Sequence, residues 1–459
     1  MTALTRLTAL ELSEAIHRRS VSCVEVMDAF LERINELNPD LNALVGLMTP
    51  EACSAMAREA DKQLARGNRS GWLHGIPIAI KDLFNAKGFV TAFGSPLLSS
   101  VAAQQDDPHV ARLRAAGALI IAKTNVPEAG LGGHTDNALY GLTRNGLDRN
   151  LSAGGSSGGA ATAVASRMLP LADGSDMMGS LRTPAAFQGI VGYRASIGAI
   201  PAARDADPQE LGLTSIGAMA RNVSDVSALF TTLSNDRGAE AQNPPPDTER
   251  LDGLKIGWLG DADSRWPMSD GLLSQCQRAL ENLQGLGAHI DFCPLSFSLA
   301  DLWVCWLTLR QHSLLPDRAL YDDPRSRSLM SDSWRWEIEQ GIQRKGSDLS
   351  TAETLRRDWL VTVETLFQQY DVLAAPAAQV FPFHAEAGPP VAIGGTALDT
   401  YHQWLAISMP ASLAGLPVIS LPIATASATK MTGIQLMMPR GRDYDLLSIA
   451  TKVEPALLA

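Results

Sequence analysis

A stretch of fourteen small residues limits most strongly how this chain can fold. Residues 152–165 read SAGGSSGGAATAVA, so small side chains occupy nearly every position. Such a stretch lets another part of the backbone come very close, and its glycines permit conformations that other residues disfavour. The sequence therefore predicts a tightly packed backbone junction at this point.

The composition is that of an ordinary globular protein. The 459 residues are 46% apolar and 19% charged, and the formal net charge is −11. No Lys- or Arg-rich cluster marks a basic face, so we expect no nucleic-acid partner and no membrane partner. The first twenty residues contain no apolar signal segment, which favours a cytoplasmic location. The five cysteines form no CxxC pair, so we expect no metal and no cofactor.

A long uncharged segment near the C-terminus could suggest a membrane span. Residues 403–429 contain no Lys, Arg, Asp or Glu. However, Pro410, Gly415, Pro417 and Pro422 would break a spanning helix. Strands and loops inside a core are therefore expected here.

The N-terminal part of the chain is helical by pattern. Thr8 with Glu11 and Ser22 with Glu25 have the spacing of capping boxes, which start helices. We expect residues 1–70 to form a helical cover.

From residue 75 the pattern becomes strand, helix, strand. Residues 76–80 and 118–122 are apolar runs, and Asp107-Pro108 opens a helix between them. The segments 255–259, 272–286 and 288–292 repeat this order. Alternation of this kind predicts an α/β fold with parallel strands covered by helices.

Three short sequence patterns partly match known phosphate-binding or catalytic motifs, but each match is weak. The phosphate-binding loop pattern needs Lys and then Ser or Thr after its second Gly, whereas Ala160 and Ala161 follow Gly159. Residues 154–158 fit G-x-S-x-G, yet the preceding residues are polar rather than a buried strand. Ser427-x-x-Lys430 fits S-x-x-K without the other motifs of that enzyme class. All three interpretations are set aside.

A lysine and two serines provide a better chemical hypothesis. Lys81 directly follows an apolar strand, and residues 174–184, GSDMMGSLRTP, form a second loop of small residues. A surface lysine would be the default interpretation of Lys81 alone. A lysine among apolar groups has a lowered pKa and can act as a neutral base, and a serine hydroxyl needs a base before it attacks a carbonyl. Lys81, Ser156 and Ser180 can supply both functions.

These motifs together resemble the amidase signature family. The matching stretches are residues 75–82 (GIPIAIKD), 122–145, 152–165 and 174–201, with weaker similarity in 217–229 and 415–422. The resemblance implies a single amidase-like domain over residues 1–459 with its catalytic core in 75–201. It implies a large mixed, mainly parallel twisted sheet with helices on both faces. Residues 298–370 are expected to form a variable helical region beside the substrate.

The resemblance also implies roles for individual residues. Ser180 would be the nucleophile, Ser156 the bridging serine after a cis Gly155–Ser156 peptide bond, and Lys81 the base. The oxyanion and substrate-binding residues would be Met177, Met178, Gly179, Gly130, Gly132 and Gly133, with the Ser180 amide also contributing to the oxyanion hole. Asp176 and Arg182 are expected to support the loop by an ion pair. Relatives commonly have Gly-Gly before the nucleophile, so Met178 must accept the local backbone angles or narrow the acyl pocket. His134 follows the glycine loop, and we interpret it as a local hydrogen-bonding residue rather than a second base.

We therefore expect a serine hydrolase that cleaves carboxamides through an acyl-enzyme. Aryl esters and carbamates (urethanes) are further expected substrates, since some relatives accept them. The alternatives are the amidase subunit of a tRNA-dependent amidotransferase and a non-catalytic scaffold that kept the fold. Trp303, Trp306, Trp334 and Trp336 either favour an aryl substrate or belong to the core. The expected partner is a small amide, ester or carbamate, and the chain could form a homodimer.

Overall fold

The fold contains one large sheet, two smaller sheets and a series of helices. A computed structural model describes residues 3–98, 100–201, 212–234, 250–425 and 427–459. The strands in this part of the chain are β1 (Leu44–Val45), β2 (Pro77–Lys81), β3 (Leu119–Thr124), β4 (Leu171–Asp176), β5 (Val191–Arg194), β6 (Ser215–Ala220), β7 (Lys255–Trp258), β8 (His289–Phe292), β9 (Val372–Pro376), β10 (Ala392–Ile393), β11 (Thr396–Ala397), β12 (Val418–Pro422) and β13 (Gly433–Met437).

The α-helices lie before, between and after these strands. They are α1 (Ala9–His17), α2 (Cys23–Leu41), α3 (Pro50–Ala65), α4 (Pro108–Ala115), α5 (Gly158–Ala165), α6 (Arg182–Gln188), α7 (Val223–Ser234), α8 (Leu272–Gly285), α9 (Leu299–Ser313), α10 (Arg318–Asp322), α11 (Pro324–Leu329), α12 (Asp332–Gln343), α13 (Gly346–Phe367), α14 (Met409–Ala414) and α15 (Asp443–Leu457). Helices α9 to α13 follow one another without a strand between them. Among the described helices, none has both the length and the apolar character needed to cross a bilayer.

The strands confirm an α/β fold with a large mixed sheet, but they correct the expectation of mainly parallel pairing. The eight-stranded sheet has the order β4-β6-β5-β12-β13-β9-β7-β8. Its pairs from β4 to β9 are antiparallel, and β9-β7 and β7-β8 are parallel. The strand–helix–strand units identified in the sequence, β2-α4-β3 and β7-α8-β8, do give parallel pairs. The antiparallel strands come from segments without that alternation, so the pattern could not reveal them.

The large sheet is covered on both faces, as the alternation of buried residues along its strands shows. Val372 and Ala374 of β9 belong to one apolar cluster, whereas Leu373 and Ala375 belong to another. Successive side chains of a strand point to opposite faces, so the two clusters lie on opposite sides of the sheet. The first includes buried residues of α7, α8 and α15, and the second includes residues of α9, α13 and α14.

Local sequence signals explain several helix boundaries. Thr8 with Glu11 and Ser22 with Glu25 form the predicted capping boxes at the starts of α1 and α2. The uncharged segment 403–429 differs from the prediction, because it contains α14 as well as β12. Pro410 stands in the first turn of α14, where a missing N–H removes no hydrogen bond. The prolines therefore did not exclude a short helix.

Candidate active site

The amine of Lys81 lies in a buried cluster of hydroxyl groups. Lys81 is the last residue of β2, and its side chain is fully buried. Its Nζ lies 2.9 Å from Ser156 Oγ, 2.7 Å from Ser157 Oγ and 3.0 Å from Ser175 Oγ. The Ser175 carbonyl oxygen lies 3.2 Å from the same Nζ. The side chain is therefore held by four polar contacts that all lie within the two loops of small residues.

The environment of Lys81 favours the neutral amine. Burial lowers the pKa of Lys81 to about 7, although the negative charges of Asp173 and Asp176 act in the opposite direction. Asp173 of β4 is fully buried, and its Oδ1 accepts a hydrogen bond from the Lys81 backbone N–H at 2.9 Å. Its Oδ2 lies 3.3 Å from Nε2 of the buried His109. Near neutral pH, an appreciable fraction of Lys81 can therefore accept a proton.

Ser156 and Ser180 open onto the same cavity. The cavity has a volume of about 160 Å³, and its wall contains both serines together with Ser175. The Gly155–Ser156 peptide bond is cis, as the resemblance predicts. The Ser157 N–H donates to the Ser180 carbonyl oxygen at 3.1 Å, which ties the two loops together. The structure thus brings the Lys81 amine to Ser156, and Ser156 and Ser180 to one cavity.

The approach of the two loops explains the small-residue stretch. Gly154 has φ +75°, and a Cβ at this position would lie 2.7 Å from Pro184 Cα. Any side chain there would push away the start of α6, which follows Ser180. The close backbone junction predicted from residues 152–165 is therefore present, and it lies against the second loop.

Asp176 and Arg182 shape the loop around Ser180. The Asp176 carboxylate accepts hydrogen bonds from Nε and Nη2 of Arg182 at 3.0 and 2.8 Å, and both side chains are fully buried. It also accepts from the Leu181 N–H at 3.1 Å. Burial alone would raise the pKa of Asp176, but the guanidinium groups of Arg182 and Arg194 outweigh that effect and hold this pKa well below its usual range. The carboxylate therefore stays charged and fixes the loop.

This hydrogen-bond network overturns the expectation for one of the oxyanion donors, Gly179. The Gly179 N–H donates to Asp176 Oδ1 at 2.8 Å, so it is not free to bind substrate. Gly179 instead has a conformational role, since its φ of +85° disfavours a side chain and a Cβ would lie 2.7 Å from Ser408 Oγ. Within the described residues, the N–H groups of Met177, Met178 and Ser180 donate no hydrogen bond to protein. These three amides remain available.

The other expected substrate-binding residues divide into two groups. Met177, Met178, Gly130 and Gly132 line the cavity that contains the serines. Gly133 does not line this cavity; it lines a neighbouring pocket with His134, and a Cβ at this position would clash with Trp404. Met178 lies outside the left-handed region of backbone angles, so the local backbone conformation is open to a residue with a side chain. Its side chain is buried in the second apolar cluster and narrows the cavity that it lines.

Several residues at the site were not singled out in the sequence. Ser157 and Ser175 contact the Lys81 amine, and both lie inside the two loops of small residues that the sequence reveals. A search for every hydroxyl in those loops could have found them. Arg310 of α9 and His402 also line the cavity, but each is an isolated polar residue in a segment without a motif. Only the tertiary fold brings them to the site.

The other residues considered in the sequence lie outside this cavity wall and make structural contacts. His134 Nδ1 lies 2.8 Å from Ser152 Oγ, consistent with a local hydrogen-bonding residue. Trp306 and Trp334 are fully buried in apolar clusters, and none of the four tryptophans lines the cavity, which favours the core interpretation. Ser427 is exposed, and its Oγ lies 2.8 Å from Thr429 Oγ1. Across the described ranges, no group of three or more His, Cys, Asp or Glu residues is placed to hold a metal ion.

Comparison with known proteins identifies the family of the chain. The family model described as Amidase matches residues 25–447. The chain is 30% identical to an acylamidase of Rhodococcus erythropolis, over 98% of the chain and 95% of the relative. It is 31% identical to a glutamyl-tRNA(Gln) amidotransferase subunit of Acidothermus cellulolyticus, over 99% and 95% of the two chains. A solved amidase structure superimposes with a TM-score of 0.88 at 26% identity, covering 98% of this chain and all of the other.

The chain therefore belongs to the amidase family, the amidase signature enzymes. It is an enzyme of the hydrolase class that acts on carbon–nitrogen bonds.

Proposed function

We propose that this protein hydrolyses small uncharged carboxamides through an acyl-enzyme on Ser180, with Ser156 as proton relay and Lys81 as base. The observation that carries the proposal is the buried amine of Lys81, which lies 2.9 Å from Ser156 Oγ and has a pKa lowered to about 7. A serine hydroxyl is a weak nucleophile until a neighbouring base accepts its proton. Lys81 and Ser156 supply that base and that path.

The reaction begins when neutral Lys81 accepts the proton of Ser156. Ser156 in turn accepts the proton of Ser180, whose Oγ forms a bond to the amide carbon. The tetrahedral intermediate then collapses, the C–N bond breaks, and the relay returns a proton to the leaving amine. Water attacks the acyl-enzyme with the same relay as base and releases the carboxylic acid. Protonation of the amine is essential, since an unprotonated amide nitrogen is a very poor leaving group.

The backbone amides of Met177, Met178 and Ser180 are the proposed oxyanion donors. They donate to no protein group within the described residues, and Met177 and Met178 line the cavity with Ser180. Donors that are already oriented stabilise the negative oxygen without reorganisation, and each typically contributes about 3 kcal/mol. Asp176 contributes indirectly, because it fixes the loop that carries these amides.

Aryl esters and aryl carbamates are proposed as further substrates. Both contain a carbonyl that Ser180 can attack and a leaving group that needs protonation less than an amine does. The base and the oxyanion donors would act on them in the same order.

The amidotransferase alternative is less consistent with the cavity. Free glutamine carries an α-ammonium and an α-carboxylate, and each needs a partner of opposite charge when it is desolvated. Among the described residues that line the cavity there is no Asp or Glu, and Arg310 already pairs with Glu337. A scaffold role is also disfavoured, because a buried lysine with a lowered pKa costs stability that a scaffold does not need.

We further propose that the enzyme works in the cytoplasm without a partner protein, as a monomer or a homodimer. Size-exclusion chromatography of the purified chain together with an amide assay checks the oligomeric state and the independence from a partner protein. Activity that depends on added lysate proteins would contradict it.

Labelling with a fluorophosphonate probe and an anilide assay test the proposed function. We expect labelling and anilide cleavage by the wild type, and neither by Ser180→Ala. Ser427→Ala removes an exposed serine and is the matched control, with wild-type behaviour expected. Labelling of Ser180→Ala at the wild-type level would show that the nucleophile is elsewhere.

A further inference from the structure

The wall of the cavity contains a buried guanidinium group with incomplete hydrogen bonding. Arg310 is 4% exposed and lines the cavity with Ser156 and Ser180. Its Nε donates to Glu337 Oε1, and its Nη2 donates to the Tyr401 hydroxyl at 2.8 Å. Its Nη1 faces Met177 Sδ at 3.4 Å. A thioether is a weak acceptor, so Nη1 lacks a strong partner.

The charge of Arg310 is already balanced. Glu337 of α12 is fully buried and also accepts a hydrogen bond from the Tyr401 hydroxyl at 2.9 Å. No other Lys or Arg, and no Asp or Glu, lines the cavity within the described part of the chain. A ligand carboxylate would have to share one guanidinium with Glu337, and a ligand ammonium would find no anion. The cavity therefore favours an uncharged ligand group.

A second polar group beside Arg310 also lacks partners. His402 lines the same cavity and is 1% exposed, and neither ring nitrogen has a hydrogen-bond partner among the described residues. Its ring packs against the rings of Trp303, Trp336 and Tyr401. Buried polar groups are rarely left without partners, so this histidine is a separate indication that a polar ligand group completes the wall.

The rest of the cavity sets the size and character of the ligand. Leu83, Leu131, Met178, Leu314 and Leu405 contribute apolar surface. The volume of about 160 Å³ resembles that of an apolar protein cavity that binds benzene, which is about 150 Å³. One ring and a short substituent fill such a space.

We propose that Arg310 and His402 form a subsite for a neutral hydrogen-bond acceptor, such as a ketone, ester or ether oxygen, on a ring-sized group of the substrate. The inference rests on the proposed function, since it assigns part of the substrate to the cavity that contains Ser180. It narrows the substrate class to amides in which the acyl or the amine part is a single ring with one uncharged acceptor.

Matched substrates test the subsite in the wild type. Acetyl and isopropyl substituents have nearly the same shape, but the acetyl group contains a carbonyl acceptor. We expect kcat/KM to be about tenfold higher for the acetyl member of a pair when the ring lies in the subsite, as for a hydrogen bond to a charged donor. Pairs substituted on the acyl ring and on the anilide ring are both measured, because either ring can occupy the cavity. A carboxylate-substituted member that exceeds the acetyl member would overturn the proposal.

A double variant separates binding from the intrinsic reactivity of the substrates. Arg310→Met with Glu337→Gln removes the guanidinium without leaving a buried carboxylate unpaired. The acetyl-to-isopropyl ratio should fall about tenfold in this variant, since reactivity differences cancel in the comparison with wild type. Arg114→Met with Asp106→Asn removes an ion pair outside the cavity and should keep the wild-type ratio. A double variant at 310 and 337 with the wild-type ratio contradicts the proposal.

A competition measurement needs no variant. Acetophenone should slow fluorophosphonate labelling of wild-type Ser180, whereas the isosteric isopropylbenzene should protect about tenfold more weakly. Equal protection by both rings contradicts the subsite but leaves the proposed function intact. Absence of any labelling and of any amide turnover would instead contradict the proposed function itself.

Discussion

At the scale of single residues, the proposed chemistry depends on the charge state of the Lys81 amine. Lys81 has no contact with solvent, and three serine hydroxyls and a carbonyl oxygen surround its Nζ. Two buried aspartates, Asp173 and Asp176, moderate the effect of burial on its pKa. The pKa of Lys81 is therefore set by a balance between desolvation and nearby negative charge.

The first prediction concerns the pH dependence of turnover. Because the neutral amine is the proposed active form, kcat/KM for an anilide should rise with pH through about 7 and then level off. Asp173→Asn keeps the hydrogen-bonding shape but removes a negative charge that stabilises the ammonium form. The pKa of Lys81 should fall, so the rising limb should move to lower pH.

The control for this prediction is another buried aspartate. Asp225 accepts hydrogen bonds from the N–H groups of Ala9 and Leu10 at the start of α1, and it is not among the charges that act on Lys81. Asp225→Asn should leave the rising limb in place. A limb that moves equally in both variants, or toward higher pH in Asp173→Asn, would contradict the assignment.

The second prediction concerns stability. In the unfolded chain a lysine amine has a pKa of about 10.4, whereas in the folded protein the pKa of Lys81 is about 7. Between these values the unfolded state binds a proton that the folded state lacks, so the contribution of Lys81 to the free energy of unfolding of wild type rises with pH. Lys81→Met lacks this contribution. The stability of the variant relative to wild type should therefore decline from pH 7 to pH 10, by at most about 4 kcal/mol. Urea unfolding of both proteins at several pH values measures this difference. A difference that stays constant with pH would contradict the prediction.

At the scale of elements, the loop between β4 and α6, which carries Ser180, is held in place by one buried arginine. All five N–H donors of Arg182 are used, two by Asp176 and the others by the Ser408 carbonyl oxygen, Gln435 Oε1 and Ser412 Oγ. This one side chain therefore joins the loop of Ser180 to α14 and β13. The geometry of the loop depends on contacts that are distant in the sequence.

The third prediction follows from that network. Arg182→Met leaves the fully buried Asp176 carboxylate with less compensation, so the free energy of unfolding should fall by roughly 3–5 kcal/mol. Arg250 pairs with Asp252 at the exposed surface, and Arg250→Met should leave the free energy of unfolding close to the wild-type value. Urea unfolding followed by tryptophan fluorescence measures both. Equal losses in the two variants would show that the buried pair has no special weight.

The local elements could be predicted where their signals are local. The capping boxes at Thr8 and Ser22 and the alternation around β2-α4-β3 depend on residues close in sequence, and these predictions agree with the structure. The antiparallel part of the large sheet depends on which distant strands meet, and no short pattern reports that. The same reason explains Arg310, whose contact with Glu337 depends on packing between α9 and α12.

At the scale of the whole molecule, the family and the α/β fold follow from motifs that cover only part of the chain. Residues 75–201 form the loops around Ser156 and Ser180, whereas α9 and the segment before α14 complete the cavity. The two loops of small residues are thus apparent from the sequence, but the part of the cavity wall that α9 and the segment before α14 contribute is not.

The fourth prediction separates a hydrolase of neutral amides from a glutamine-dependent enzyme. The purified chain alone should cleave a neutral anilide with a kcat/KM more than about a hundredfold above that for glutamine, because the described residues of the cavity wall include no carboxylate for the α-ammonium group. Ammonia release from glutamine and amine release from the anilide provide the two rates. A preference for glutamine would favour the amidotransferase function.

The most direct measurement is the rate of fluorophosphonate labelling of Ser180 as a function of pH, in wild type and in Lys81→Met. Wild type should label faster as the pH rises through about 7 and then reach a plateau. Lys81→Met should label slowly and without that rise, because its Ser156 has no amine to accept a proton. If Lys81→Met labels at the wild-type rate with the same pH dependence, Lys81 is not the base.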